Sequence, residues 1–267
     1  MTSYVLESRH EVERLELQNK SDLYSFACEV ENEDLVIPAG GVFLDAGCGS
    51  GIVARSVMKV NNNIIAYALD NSSERIKQAG SLKDNKGLGI NFETGDLKKM
   101  PYRSNFFDLV ICRFVYEHNP SYLNILTQEV YRVLKPGGRY ILIDVDGLLY
   151  NLETDNKVVK LCLSLLKDKL NFFDGYVCKK IPKNLTRCGF TIDRVKKASP
   201  VFFDDKERAH EHAMWILRFD QAKAHFVSVL GEDLFDLFRE SYLNEILNKE
   251  NFLYSNKFSF FPGSYSL

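Results

Sequence analysis

Three glycines at alternate positions, Gly47, Gly49 and Gly51, follow an acid, Asp45, in the stretch Val42 to Gly51. Glycine lets the backbone turn sharply with no Cβ in the way, so a ligand can lie directly against main-chain atoms. Cys48 sits inside the same turn. The apolar run Val42 to Leu44 before it reads as a buried strand, and Ile52 to Val60 after it reads as a helix whose N-terminus offers N–H groups and a partial positive charge. Strand, glycine-rich turn and helix open a nucleotide-binding βαβ unit. A dinucleotide turn of the form G-x-G-x-x-G would place its third glycine at Ile52, so an NAD-binding variant or a plain tight turn stays open here. Asp70 ends a second apolar run, Ile64 to Asp70, about 20 residues past the glycines. A strand-end carboxylate can accept from both ribose hydroxyls; its other use is as N-cap of the helix beginning near Ser72, which Asn71 or Ser72 can serve instead.

A second set of groups follows the apolar run Phe107 to Cys112. Histidine side chains in general titrate close to neutral pH, which makes His118 a candidate general base; alternatively it bonds only the backbone of its own turn. Glu117 and Tyr116 are candidates for orienting a substrate, and Tyr116 could equally pack against a nucleoside. Asp144 and Asp146 stand at another strand end, either facing a ligand or solvated in a turn. His210 and His212 are two residues apart and do not share a helix face, so no metal site is expected. The six cysteines include no Cys-x-x-Cys pair and are scattered through strands, helices and turns, which points to reduced thiols in a cytoplasmic protein.

The elements that would carry these groups alternate. Ile90 to Thr94 is a predicted strand leading to Gly95-Asp96-Leu97, and Phe107 to Cys112 is the next. Ser121 to Leu134 is a predicted helix stopped by Lys135-Pro136-Gly137-Gly138, and Arg139 to Asp144 the fifth strand. Residues 147–180 read as helical, Ile181 to Cys188 as a short helix, Phe190 to Val195 as a sixth strand, 204–249 as a long helical tract, and Lys257 to Phe261 as the last strand. Residues 1–35 are polar and helical in pattern, with Val12, Leu15 and Leu17 in one apolar set and Leu23, Tyr24, Phe26, Ala27 and Val30 in another. This order predicts an α/β fold, a doubly wound sheet. The 267 residues suffice for one large domain with insertions, at 45% hydrophobic and 26% charged content. A net charge of -2 argues against a general nucleic-acid binder, and no apolar run approaches a membrane span.

Taken together, Asp45 to Gly51, Asp70, Gly95-Asp96, Phe107-Asp108-Leu109-Val110 with Glu117-His118, Val133 to Gly138, and Arg187-Cys188-Gly189-Phe190 resemble, in that order, the class I methyltransferases that use S-adenosylmethionine. The likeness is to small-molecule enzymes of the ubiquinone and menaquinone biosynthesis type and covers about residues 42–195. It implies a Rossmann-like, seven-stranded, mostly parallel sheet whose last strand is antiparallel between its neighbours, with helical lid additions. Residues 1–35 would be a helical lid, or else a helix that simply packs on the domain edge, and residues 36–267 the methyltransferase domain with insertions at about 147–180 and 204–249. The cofactor would be S-adenosylmethionine and the product S-adenosylhomocysteine. Asp45, Gly47, Cys48, Gly49, Gly51, Asp70 and Asn71 would hold it, Asp96 would bond the adenine amino group beside Leu97 on the ring, and the backbone around Arg113 and Phe114 would meet its methionine part. The expected reaction (class EC 2.1.1.-) moves a methyl group to O, N or C of a small molecule. If Trp215, Phe219, Phe226, Phe235 or Phe238 line the pocket rather than fill the core, that molecule is apolar or aromatic. The rival readings are a methyltransferase for protein or RNA, and a non-catalytic NAD-type regulator. Oligomeric state and substrate identity are not legible.

Overall fold

In the computed structural model, residues 11–21, 24–167, 169–170, 173–202 and 204–263 are described; the expectation for Leu23 and that for residues 1–10 of the lid lie outside them. Strand β1 (Val42–Ala46) is buried at every position, as continuous apolar sequence requires of a parallel strand covered on both faces. It pairs in parallel with β2 (Ile65–Asp70) and with β4 (Phe107–Arg113), and β2 pairs in parallel with β3 (Ile90–Thr94). β5 (Leu134–Asp146) extends the sheet beside β4. β9 (Asn256–Gly263) then enters antiparallel between β5 and β7 (Thr191–Ala198). The seven strands run β3-β2-β1-β4-β5-β9-β7, the Rossmann-like arrangement expected. The order reverses between β1 and β4, which opens a crevice beyond their carboxyl ends.

Helix α3 spans Ile52–Val60, the predicted bounds, because Gly51 at φ +81° ends the turn. Helix α4 (Ser73–Ser81) is capped by Ser72, whose hydroxyl accepts from the Arg75 amide at 3.1 Å. Helix α5 (Leu123–Val133) hands over directly to β5. β5 is longer than expected, because the chain through Lys135 to Gly138 stays in the sheet, with Leu134 opposite Phe107.

Ahead of β1 come α1 (Glu11–Asn19), a 3₁₀ turn at Phe26–Cys28 and the short α2 (Asn32–Leu35). The helical expectation for 147–180 needs correction. Among its described residues only α6 (Lys157–Leu166) and a 3₁₀ turn at Val177–Lys179 are helical. The Asn156 carboxamide accepts from the amides of Val158 and Val159, fixing the start of α6. Before it, β6 (Leu152–Glu153) pairs with β8 (Phe252–Leu253) in a separate two-stranded sheet. After α7 (Ile181–Arg187) and β7, the tract 204–249 is two helices, α8 (Asp205–Leu230) and α9 (Glu232–Leu247). They part at Gly231, held at φ +79°. α6, α8 and α9 form a cap with its own aromatic core. The Phe219 ring meets Phe226, Phe238 and Tyr242 edge-on at 5.3, 5.7 and 5.6 Å.

Candidate active site

A cavity of about 710 Å³ fills the crevice at the ends of β1, β2, β4 and β5, below α8 and α1. Its floor is the glycine turn. Gly47 has φ +80°, and a Cβ there would stand 2.5 Å from Val115 Cγ2. Gly49 has φ +53°, and a Cβ there would stand 2.8 Å from Leu15 Cδ1 of α1. The amides of Gly47 and Cys48 donate to the Leu69 carbonyl, that of Gly49 to Asp70 Oδ2 and that of Gly51 to the Cys48 carbonyl. These glycines therefore provide room for close approach, while these particular donors serve the protein itself.

Asp45 lines the cavity, and its Oδ2 accepts from the Ala54 amide at 3.0 Å. Burial pushes its pKa up to about 7, with the Asp70 charge adding to the effect and the Ala54 hydrogen bond opposing it. Burial likewise raises the Cys48 thiol. Asp70 stands at the end of β2. Its Oδ1 accepts from the Ser72 amide at 3.0 Å and pairs with Arg75 Nη2 at 3.0 Å. Ser72 supplies the helix cap, yet Asp70 is held on both oxygens. Asn71 also lines the cavity and accepts from Arg75 at 3.0 Å. Asp96 caps the turn Leu97–Lys99 through the Lys98 amide at 2.8 Å, and Asp96 and Leu97 both face the cavity.

On the other wall, Arg113 ends β4 in a two-pronged pair with Glu29, at 2.6 and 2.8 Å. Its guanidinium also donates to the Tyr24 carbonyl and lies 4.1 Å over the Phe114 ring. Phe114 has φ +58°, an uncommon angle for a non-glycine residue, and it turns the chain out of the sheet into the cavity wall. The next residues form a 3₁₀ turn, Tyr116–His118. Asp144 Oδ2 accepts from the amides of Tyr116 at 2.9 Å and Glu117 at 3.3 Å, while Oδ1 accepts from Val145 at 2.9 Å. Asp144 is fully buried, so it is neither a solvated turn acid nor a cavity wall. Burial, reinforced by the Glu117 charge, pushes its carboxyl well above the usual range.

Tyr116 corrects the sequence expectation. The turn directs its ring into the main core, where its hydroxyl pairs with Thr127 at 2.9 Å and accepts from Tyr140 at 3.2 Å. It does not reach the cavity. Glu117 and His118 do, with His118 Nε2 3.3 Å from Glu117 Oε1.

The roof is the helical tract whose aromatics were offered above as pocket lining; of those, Trp215 and Phe226 reach the cavity, while Arg218, Ala222 and His225 were not read from sequence. Trp215, Arg218, Ala222, His225 and Phe226 of α8 face the cavity. Their spacings of three and four residues mark one helix face, a signal present in the sequence. Arg218 pairs with Glu211 at 2.8 Å, and the Tyr24 hydroxyl donates to the same carboxylate at 3.0 Å. Phe219, Phe235 and Phe238 pack the cap core instead. From α1, Glu11, Arg14, Leu15 and Gln18 close the remaining side, and Glu16 ties α1 to α3 through Arg55 at 2.8 Å. Among the described residues no group of three or more His, Cys, Asp or Glu side chains could hold a metal ion, and no helix is long and apolar enough to cross a membrane.

Sheet order, glycine turn and strand-end cavity together define a protein of the class I methyltransferase fold. Residues 44–142 match the family model described as a methyltransferase domain. A sterol 24-C-methyltransferase of Pneumocystis carinii is 37% identical over 107 residues, covering 39% of this chain and 28% of that protein. The chain spans between 27% and 46% of the length of the curated relatives it matches. Among solved structures, the YcgJ protein of Bacillus subtilis superposes with a TM-score of 0.58 at 18% identity, over 88% of this chain and 96% of that one. Phosphoethanolamine N-methyltransferase 2 of Haemonchus contortus, solved with phosphomonomethylethanolamine and S-adenosylhomocysteine, superposes at 0.57 and 17% identity, over 97% of this chain and 58% of that one.

Proposed function

We propose that the chain is a cytoplasmic S-adenosylmethionine-dependent methyltransferase acting on a small molecule with an apolar or aromatic body. The carrying observation is one continuous cavity that runs from the glycine turn and Asp70 to the aromatic face of α8. The residues present fit the cofactor: the floor is a cradle that any side chain at Gly47 or Gly49 would fill. In this reading Asp70 and Asn71 hold the ribose, Asp96 bonds the adenine amino group against Leu97, and Asp45, Cys48, Arg113 and Phe114 flank the methionine part. When bound, S-adenosylmethionine supplies an electrophilic methyl group on a sulfonium centre. The chain's own part is to orient the acceptor and exclude water, and orientation alone can supply about 7–11 kcal/mol. Helix α1 serves as lid. A roof over the methyl site favours a small acceptor over a protein or RNA.

Calorimetry with S-adenosylmethionine, S-adenosylhomocysteine and NAD tests the reading. Both sulfur nucleosides should bind, and binding of NAD alone would overturn it. His118→Ala should slow transfer about a hundredfold with S-adenosylhomocysteine affinity retained. An unaltered pH–rate profile would remove His118 as base.

The raised pKa of Asp45 gives a further expectation. A cation in the cavity favours the ionised carboxylate, so the sulfonium form should bind with proton release near pH 7 and gain on S-adenosylhomocysteine as pH rises from 6 to 8. Each unit by which the cation lowers this pKa contributes about tenfold. Calorimetry in buffers of differing ionisation enthalpy reads the proton, and Asp45→Asn should remove it.

A further inference from the structure

Two buried carboxylate oxygens have no hydrogen-bond partner among the described residues, Glu117 Oε2 and Asp146 Oδ1. Of the two residues, Glu117 lines the cavity and Asp146 does not. Glu117 is 4% exposed, so little of it meets bulk solvent. Other carboxylates on the cavity wall are engaged: Asp45 by the Ala54 amide, Asp70 by the amides of Gly49 and Ser72 and by Arg75, Asp96 by the Lys98 amide, and Glu11 by Arg14. The position of Glu117 is not slack, since Asp144 grips its amide and its carbonyl accepts from the Asp174 amide at 2.7 Å.

A carboxylate oxygen accepts, so what completes Oε2 must donate. The cavity lining includes the apolar or aromatic Phe114, Leu148, Phe173, Trp215 and Phe226, beside the polar Arg218, Gln221 and His225 of α8. We infer that Glu117 selects an acceptor that carries an O–H or N–H on an apolar body, so that the nucleophile is oxygen or nitrogen and not an alkene carbon. This rests on the methyltransferase reading and narrows it. As such a group gains a methyl it sheds its proton: the O–H or N–H bonding pair stays on the heteroatom, and the proton goes to the Glu117–His118 pair. An isolated alkene carbon offers Oε2 no donor and would leave the carboxylate buried and unmatched.

The test uses the full chain saturated with S-adenosylhomocysteine and three ring probes of matched shape, p-cresol, p-toluidine and p-xylene, titrated by calorimetry. At least one of the first two should bind about tenfold or more tightly than p-xylene, and which of them leads distinguishes an O–H from an N–H acceptor. In Glu117→Leu the preference should vanish while S-adenosylhomocysteine affinity holds. Should that variant fail to fold, Glu117→Gln, which keeps the shape, should narrow the preference. Equal binding of all three probes to the native protein, a preference that survives in the variants, or no binding of any probe would overturn the inference. Failure to bind S-adenosylhomocysteine would instead overturn the methyltransferase reading itself.

Discussion

Glu29→Ala is expected to destabilise the protein by about 3–5 kcal/mol, the usual cost of removing one partner from a buried ion pair. The Glu29 side chain is fully buried. It faces Arg113 at 2.6 Å and Lys257 of β9 at 3.5 Å, and Lys257 is itself sealed from solvent. Burial already pushes the Lys257 pKa down, so that cation can neutralise itself once its carboxylate partner has gone. Arg113 cannot, because a guanidinium stays charged. The loss should therefore be read at Arg113 and at the wall it supports. Its guanidinium lies over the Phe114 ring, and Phe114 lines the cavity. In a chain of this size the loss corresponds to a fall in Tm of roughly 10 °C. Glu29→Gln, which keeps the shape and one acceptor, should lie between the two. Thermal and urea unfolding decide the matter: a change below about 1 kcal/mol would mean that water reaches Arg113 when Glu29 is removed.

Asp70→Ala should lower affinity for S-adenosylhomocysteine about a hundredfold, since hydrogen bonds to a charged group contribute about 1.5–3 kcal/mol each. Two separable effects contribute. One is the proposed ribose contact. The other is local, because the same carboxylate accepts from the Gly49 and Ser72 amides and pairs with Arg75, tying the glycine turn to the start of α4. Asp70→Asn keeps an oxygen for the Gly49 amide and removes the charge, so it should recover part of the affinity. Calorimetry on both variants measures this, and unchanged affinity in Asp70→Ala would remove Asp70 from the ligand site.

Local order was legible where local residues determine it. β3 and α3 have the bounds read from sequence, because periodicity and the punctuating Gly51 coincide there. The seven-stranded, mostly parallel sheet and its antiparallel last strand followed from the family resemblance. Residues 147–156 misled because their apolar spacing suits a helix, while the Asn156 cap and the distant β8 prevent one from starting there. Gly231 lay within a helical pattern, and its positive φ divides it. Tyr116 misled because its neighbours Glu117 and His118 reach the cavity, and only the 3₁₀ geometry sends it the other way. The polar framework around the site was out of reach for another reason. Glu29 meets Arg113 across 84 positions and Tyr24 meets Glu211 across 187, and no local pattern records such pairs.

The position of β9 carries a consequence for synthesis. This strand emerges from the ribosome after both β5 and β7, the two it separates. Until it arrives, each of those neighbours presents an open hydrogen-bonding edge, the kind of surface that recruits other chains. The cation that neutralises Glu29 together with Arg113 arrives on the same strand. The nascent chain thus holds a gap at the centre of one half of its sheet, and chaperone demand should peak in the interval between translation of β7 and translation of β9.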